Sequence, residues 1–135
     1  MKAKHILSLL ILISFAISIQ AQVVEVKVTD LEKETTSITN ATTSSSSSCN
    51  TSDFPVYQGS TLKEIDFADI TWVSVRHDLK ASDPNNYMSV ELTFKDGKTG
   101  IYEMVKHIRF TGQTPEGSYS KKVMDINTVE IIHKK

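Results

Sequence analysis

Four segments of the chain combine β-branched and aromatic residues with polar residues at alternate positions, the pattern of strands in a half-buried sheet. They are residues 70–75, 87–94, 100–110 and 126–134. The second and third segments are separated by KDGK, in which Asp96 and Gly97 suit the positive φ angles of a tight turn. A loop with two glycines and a proline, residues 111–117, ends the third segment. These features predict a β-hairpin within an all-β fold.

The segment before residue 70 supports two interpretations. Thr61 and Glu64 have the spacing of a capping box, which would start a helix, whereas Ile65 and Phe67 alternate as in a strand. The prediction here is a short strand or a single helical turn.

The chain ahead of residue 54 has a different character. Residues 22–33 contain three alternating valines, Val24, Val26 and Val28, which predict an extended arm or a short strand. Residues 34–53 are almost wholly Ser, Thr and Asn, and such a segment buries too little apolar surface to offset the entropy of ordering it. A disordered Ser/Thr-rich linker is therefore expected before a β domain at residues 54–135.

Two nine-residue segments resemble each other. DITWVSVRH, from Asp69 to His77, and DINTVEIIH, from Asp125 to His133, share Asp, Ile, Val and His at the first, second, fifth and ninth positions. We interpret them as two equivalent corners of one β structure, with chance similarity between apolar strands as the alternative. The predicted fold is a small antiparallel barrel or sandwich of about five to seven strands.

The first 21 residues have the layout of a secretory signal peptide. Lys2 and Lys4 precede an apolar run at residues 6–19, and the small residue Ala21 follows it. Cleavage is expected after Ala21, although Ile19 fits a small-x-small site poorly; the alternative, after Ala16, fits that pattern better but leaves a short apolar core. Because the run is shorter than the about 20 residues of a membrane-spanning helix, no stable membrane anchor is expected after processing. The sequence therefore predicts export to a periplasm or to the extracellular space.

The net charge and the cysteine content limit the kinds of partner that the chain is expected to bind. The formal net charge is −1, and loss of Lys2 and Lys4 with the signal makes the mature chain more acidic, which argues against nucleic acid as a partner. The only cysteine, Cys49, lies in the serine-rich linker and has no second cysteine for an internal disulfide. It is expected to be solvated and able to link two copies as a disulfide dimer.

Histidine is the residue type best suited to chemistry at neutral pH, and three occur after the signal: His77, His107 and His133. They show neither metal-ligand nor catalytic spacing, and the chain contains no nucleophile elbow and no phosphate-binding loop. The prediction is no cofactor, no metal and no catalysis. A metal-dependent or hydrolytic site assembled from these scattered histidines is the alternative.

Aromatic residues are the remaining candidates for a site. Trp72, Tyr87 and Tyr102, together with Tyr57 and Tyr119, could line a face that binds sugar or peptide. Trp72 is expected in the core rather than on the surface, because tryptophan is highly buried on average. The predicted function is a secreted or periplasmic binding or structural module for an unknown protein or carbohydrate ligand.

Overall fold

A computed structural model describes residues 23–44, 50–51 and 53–134. In this part of the chain, eleven strands and two short 3₁₀ turns are formed. In chain order they are β1 (Val23–Asp30), β2 (Thr35–Ser44), β3 (Asn50–Thr51), β4 (Asp53–Gln58), β5 (Thr61–Asp66), a first 3₁₀ turn (Phe67–Asp69), β6 (Ile70–Val75), β7 (Tyr87–Phe94), β8 (Thr99–Val105), β9 (Arg109–Thr114), β10 (Gly117–Lys122), a second 3₁₀ turn (Val123–Asp125) and β11 (Ile126–His133).

All strand pairs are antiparallel, in the order β10-β9-β2-β1-β11-β6-β7-β8-β4-β5, with β3 paired to β2. The all-β prediction is confirmed, but the strands outnumber the expected five to seven. The sheet curls into a half-barrel that brings β4 near β9, since the rings of Phe54 and Phe110 lie 5.2 Å apart. The short strand β3 supports this curl, because it pairs with β2 just before the chain enters β4.

The concave side of the half-barrel holds one apolar core. In β2, β4 and β9, alternate residues face this core, as the period of two of a β-strand requires. Its largest fully buried side chains include Phe54, Phe110, Ile38, Ile70, Leu92, Met104 and Ile126. Phe67, from the first 3₁₀ turn, packs against Phe54 with 4.3 Å between ring centroids and a tilt of 34° between the rings.

The sheet consists of two equivalent halves. Counted inward from one end of the sheet, the strand order is β10, β9, β2, β1 and β11. Counted inward from the other end, it is β5, β4, β8, β7 and β6, and strands at the same place in the two orders are equivalent. The elements β9, β10, the second 3₁₀ turn and β11 each begin 56 residues after β4, β5, the first 3₁₀ turn and β6. By contrast, β1 and β2 begin 64 residues before β7 and β8. The N-terminal hairpin β1–β2 thus completes the second half, which makes this half a circular permutation of the first.

The two similar segments of the sequence form the corners of these halves. In each, a 3₁₀ turn ends where an isoleucine, Ile70 or Ile126, donates its main-chain N–H to the carbonyl oxygen three residues earlier. Both isoleucines are fully buried, and the strands that follow pair with each other around Val73 and Val129. The interpretation of two equivalent corners is therefore supported by the local geometry and by the sheet order.

The structure differs from the expected linker at residues 34–53, because residues 35–44 form β2. The low apolar content of this segment does not prevent strand formation, because β2 lies between β1 and β9 and forms main-chain hydrogen bonds with both. Its single isoleucine, Ile38, is completely buried, and the threonines suit a pleated strand. Residues 45–49 and 52 lie outside the described part of the chain.

Other expected boundaries also shift. The predicted strand at 100–110 is two strands, β8 and β9, with a turn at Lys106 and His107 between them. The expected loop at 111–117 is largely the hairpin β9–β10, which turns at Pro115 and Glu116. The ambiguous segment contains both alternatives, strand β5 and then a 3₁₀ turn. The hairpin β7–β8 is confirmed, and in its turn Gly97 has φ of 88°.

Candidate functional site

Residues 76–86, here called the covering loop, join β6 to β7 and break the equivalence of the two halves. The loop crosses the convex face of β7 and β8, where Ser89 is buried beneath it although its side chain points away from the core. In the described part of the second half, no segment covers the matching face of β1 and β2. Among the described residues, the covering loop therefore has no counterpart in the second half.

Asp83 folds the middle of the covering loop into a turn. Its main-chain carbonyl accepts the N–H groups of Asn86 and Tyr87 at 3.1 and 2.9 Å. Its carboxylate accepts an N–H of the Asn86 side-chain amide at 2.7 Å and the main-chain N–H of Asn85 at 3.3 Å. This arrangement is the local hydrogen bonding that makes Asp and Asn frequent in turns.

Further contacts attach the covering loop to the sheet. Ser82 donates both its main-chain N–H and its hydroxyl to the Glu103 carboxylate of β8, each at 2.7 Å. The carbonyl of Asn86 accepts the N–H of Lys106 at 3.0 Å, and Ala81 is buried. Because main chain and side chains both anchor it, the loop presents its exposed residues in a fixed arrangement.

The start of the covering loop is held by an ion pair. The Arg76 guanidinium donates to both oxygens of Asp78, at 2.9 and 2.8 Å, and contacts Glu91 of β7 at 3.4 Å. The hydrogen bond from Arg76 is the main reason that the pKa of Asp78 falls to about 2. Asp78 therefore stays ionised and engaged with Arg76 at neutral pH.

Two open cavities lie beside the covering loop. The first, here called the basic cleft, has a volume of about 490 Å³. Its basic residues are His77, Lys80 and Lys106, and its apolar lining includes Ala81, Tyr87, Met88 and Met124.

The second cavity, here called the tyrosine groove, has a volume of about 590 Å³. It is lined by Tyr57, Tyr102, Leu79 and Ile101, with the polar residues Gln58, Ser60 and Glu103. Both volumes fall in the range of small-ligand sites.

The two cavities adjoin. Leu79 and Lys80 of the covering loop line both of them. Below the loop, the ring of Tyr57 in the tyrosine groove packs edge to face against the ring of Tyr87 in the basic cleft, at 5.5 Å. A ligand longer than one cavity could therefore extend from one into the other.

Three of the predicted aromatic candidates lie at these cavities: Tyr87 at the basic cleft, and Tyr57 and Tyr102 at the tyrosine groove. Trp72 lines neither, and its expected place in the core is wrong. It is 39% exposed on the convex face, between Glu130 and Thr93 of the neighbouring strands.

The reason for the exposure of Trp72 is a register shift between Ile70 and Trp72 in the pairing of β6 with β7. The shift adds one residue, so that Ile70 and Val73 both face the core and Trp72 faces outward.

The histidines are placed separately. His77 donates Nε2–H to the carbonyl of Ile126 at 2.8 Å, and His133 donates Nε2–H to the carbonyl of Ile70 at 2.6 Å. Each corner is thus fastened by the histidine of the other half. The Nδ1 of His133 is buried without a hydrogen-bond partner among the described residues. His107 is exposed in the turn between β8 and β9.

Among the described residues, the one group with metal-ligand geometry contains no histidine and consists of Asp30, Glu32 and Glu34. Lys121 already contacts Asp30 at 3.3 Å. Burial raises the pKa of Asp30, but hydrogen bonds from the N–H of Glu34, from Lys121 and from the N–H of Glu32 outweigh it and hold that pKa below its usual value. Asp30 therefore already has a counter-ion in Lys121, and the hydrogen bonds that it accepts from the N–H groups of Glu32 and Glu34 stabilise the β1–β2 turn.

Sequence reasoning missed the residues that the covering loop contributes, Leu79 and Lys80, and their neighbours Ile101 and Lys106. One signal was available: residues 76–86 are rich in Asp, Asn, Ser and Pro and are longer than a hairpin turn needs. The expected cleavage site at Ala21 and the thiol of Cys49 lie outside the described residues, and a disulfide-linked dimer through Cys49 stays a prediction.

Within the described residues, no helix has the length and apolar character needed to cross a bilayer. No protein-family model, no curated protein and no solved structure is found to match this chain.

Proposed function

We propose that this protein is an exported, non-catalytic binding module whose ligand site comprises the basic cleft and the tyrosine groove. The ligand is a protein segment, a carbohydrate or a smaller molecule with an apolar part. The covering loop forms this site together with residues of β4, β7 and β8, with Lys106 and with Met124.

One observation carries this proposal: equivalent positions of the two halves differ in polarity. In the first half, three residues form an apolar surface beside the covering loop, and in the second half their counterparts are polar. The three are Tyr57, Leu62 and Ile101, and the counterparts are Gln113, Ser118 and Ser37. Since the same framework forms with polar residues there, folding does not require the apolar ones.

The exposure of these residues points in the same direction. Leu62 and Ile101 are 49% and 48% exposed, and Leu79 of the covering loop is 39% exposed. Single exposed apolar residues are ordinary, but a group of them beside two cavities is typical of an interaction site.

The chemistry of the cavities favours binding over catalysis. The two carboxylates that line them, Asp78 and Glu103, are engaged by Arg76 and by Ser82. An acid or base in a reaction needs a group free to exchange a proton with the substrate. Neither carboxylate meets this condition.

Substitutions that copy the second half test the site. We expect Tyr57→Gln and Ile101→Ser to leave the fold intact, because Gln113 and Ser37 occupy the equivalent positions. Binding should be screened by ¹⁵N–¹H NMR with a panel of peptides, oligosaccharides and small organic molecules. A ligand of this site should shift amides of the covering loop and bind at least about fivefold more weakly to Ile101→Ser, a loss of about 1 kcal/mol.

Leu31→Ser is the matched control, since Leu31 is also 48% exposed but lies in the turn between β1 and β2. The proposal is wrong if ligands shift only amides remote from the covering loop, or if Leu31→Ser weakens binding as much as Ile101→Ser does.

Export is the second part of the proposal and rests on Lys2, Lys4 and the apolar run at residues 6–19. Mass spectrometry of protein from its native host should find Gln22 at the N-terminus. Recovery of intact Met1 would contradict export by this signal.

A further inference from the structure

We infer that the basic cleft binds a carboxylate attached to a short apolar body, an inference that rests on the proposed function. It specifies the chemistry of one of the two cavities. Such a carboxylate can belong to a free organic acid or to the C-terminus of a peptide chain.

The charges around the cleft are unequally satisfied. Its one lining carboxylate, Asp78, is neutralised by Arg76. Lys106 donates one long hydrogen bond, 3.4 Å, to the carbonyl of Pro84, and its ammonium group has two further N–H donors. Lys80 makes no ion pair or hydrogen bond with any described residue. Two lysines whose ammonium groups retain free donors are therefore among the residues that line the cleft.

Other acidic groups near the covering loop are engaged as well. Glu91 contacts Arg76, Glu103 accepts two hydrogen bonds from Ser82, and Asp83 holds the turn of the loop. Glu103 and Asp83 keep their negative charge, because their donors here are uncharged, but none of these three carboxylates lines the cleft, whose lining sets Lys80 and Lys106 against Asp78 alone. The cleft thus has an excess of positive charge although the chain as a whole is slightly acidic.

The remaining lining supplies the apolar contact. Tyr87, Met88 and Met124 lie along the cleft, and methionine adapts its shape to varied apolar groups. Contact with an apolar body removes water from the charged rim, and a less polar medium strengthens the attraction between ammonium and carboxylate. None of the described residues that line the cleft is an arginine, so an anion there meets lysine ammonium groups, which act as point charges, and not a planar guanidinium.

The test is NMR titration of the mature protein with two acids and their neutral amides. Octanoate and octanamide represent a free acid, and N-acetyl-leucine and N-acetyl-leucinamide represent a chain terminus. We expect at least one acid to shift amides of residues 77–88 and to bind at least about fivefold more tightly than its amide. Whichever acid binds more tightly identifies the source of the carboxylate.

Lys106→Gln should weaken binding of that acid at least about fivefold, and Lys95→Gln should not, because Lys95 is exposed in the β7–β8 turn away from the cleft. Well-dispersed spectra of both variants show that the fold is retained. Equal binding of acid and amide, no binding of either acid, or equal effects of Lys106→Gln and Lys95→Gln would overturn the inference.

The same titrations separate this inference from the proposed function. A ligand that depends on Ile101 but not on Lys106 would retain the binding site and reject the carboxylate. Failure of every ligand in the panel to shift the covering loop would reject both.

Discussion

Gly112 of β9 offers a sharp test of how the N-terminal hairpin is held in the second half. It is buried where β9 packs against β2. A Cβ atom added there would lie 2.9 Å from Cβ of Ile38, 2.9 Å from Cδ1 of Ile38 and 2.9 Å from the carbonyl oxygen of Thr39. Two of these three atoms belong to or adjoin the main chain of β2, so Gly112→Ala requires β2 and β9 to separate.

The magnitude follows from two opposing effects. Replacing glycine by alanine in an ordinary strand conformation stabilises a protein by about 0.4–1 kcal/mol, because the unfolded chain has less freedom. Overpacking a core without room costs about 1–3 kcal/mol. For Gly112→Ala the cost of overpacking exceeds the gain from the restricted unfolded chain, and we expect the free energy of unfolding to fall by about 1–2 kcal/mol. For a domain of this size, the melting temperature should fall by about 4–8 °C.

Gly100→Ala is the matched control in β8. Its Cβ would lie 2.9–3.2 Å from the Tyr102 ring, so the contact is with the far end of a side chain that can rotate. We expect its stability to change by less than about 0.5 kcal/mol. Thermal unfolding followed by circular dichroism measures both variants, and hydrogen exchange should show faster exchange in β2 for Gly112→Ala alone. An unchanged melting temperature for Gly112→Ala, or equal losses for both variants, would refute this account of the β2–β9 contact.

Two other predictions concern the core and the covering loop. Phe54→Ala and Phe110→Ala should each cost about 3–5 kcal/mol in urea unfolding, and the double variant less than their sum because the rings touch; additive costs would contradict a shared cluster. The Asp78 carboxyl should titrate near pH 2 by NMR, below its usual pKa, so its stabilising contact with Arg76 is complete above about pH 4 and is lost as the pH falls through 2. Arg76→Gln should raise this pKa, and a midpoint near 4 in the unsubstituted protein would argue against the ion pair.

Sequence periodicity predicted the strands whose side chains alternate between core and solvent. From Val73 in β6, Val90 in β7 and Val129 in β11 onward the strands follow this rule, and Gly97 marks the turn between β7 and β8. The corners at Ile70 and Ile126 were also recognisable, because in each an aspartate ends the 3₁₀ turn and an isoleucine follows it. Local chemistry dominates at these places, and local chemistry is what a single sequence displays.

The remaining features depend on distant contacts. β2 has one buried isoleucine, Ile38, and forms a strand because β1 and β9 flank it. Trp72 faces outward because of a register shift that no period of two contains. Tyr87 and Tyr102 could be proposed for a site from residue type alone. Their partnership with Lys80 and Lys106 arises only when the covering loop lies on the sheet.

Comparison of the two halves separates the needs of folding from additional features of the first half. Positions buried in both halves, such as Val73 and Val129, are accounted for by the common core. Ile101 is different, because Ser37 serves at the equivalent position and exposing an isoleucine gives no stability. Its neighbours in the covering loop have no counterpart in the described second half. The proposed ligand site rests on this difference: its apolar surface lies beside two cavities, and folding does not require it, because the equivalent positions of the second half are polar.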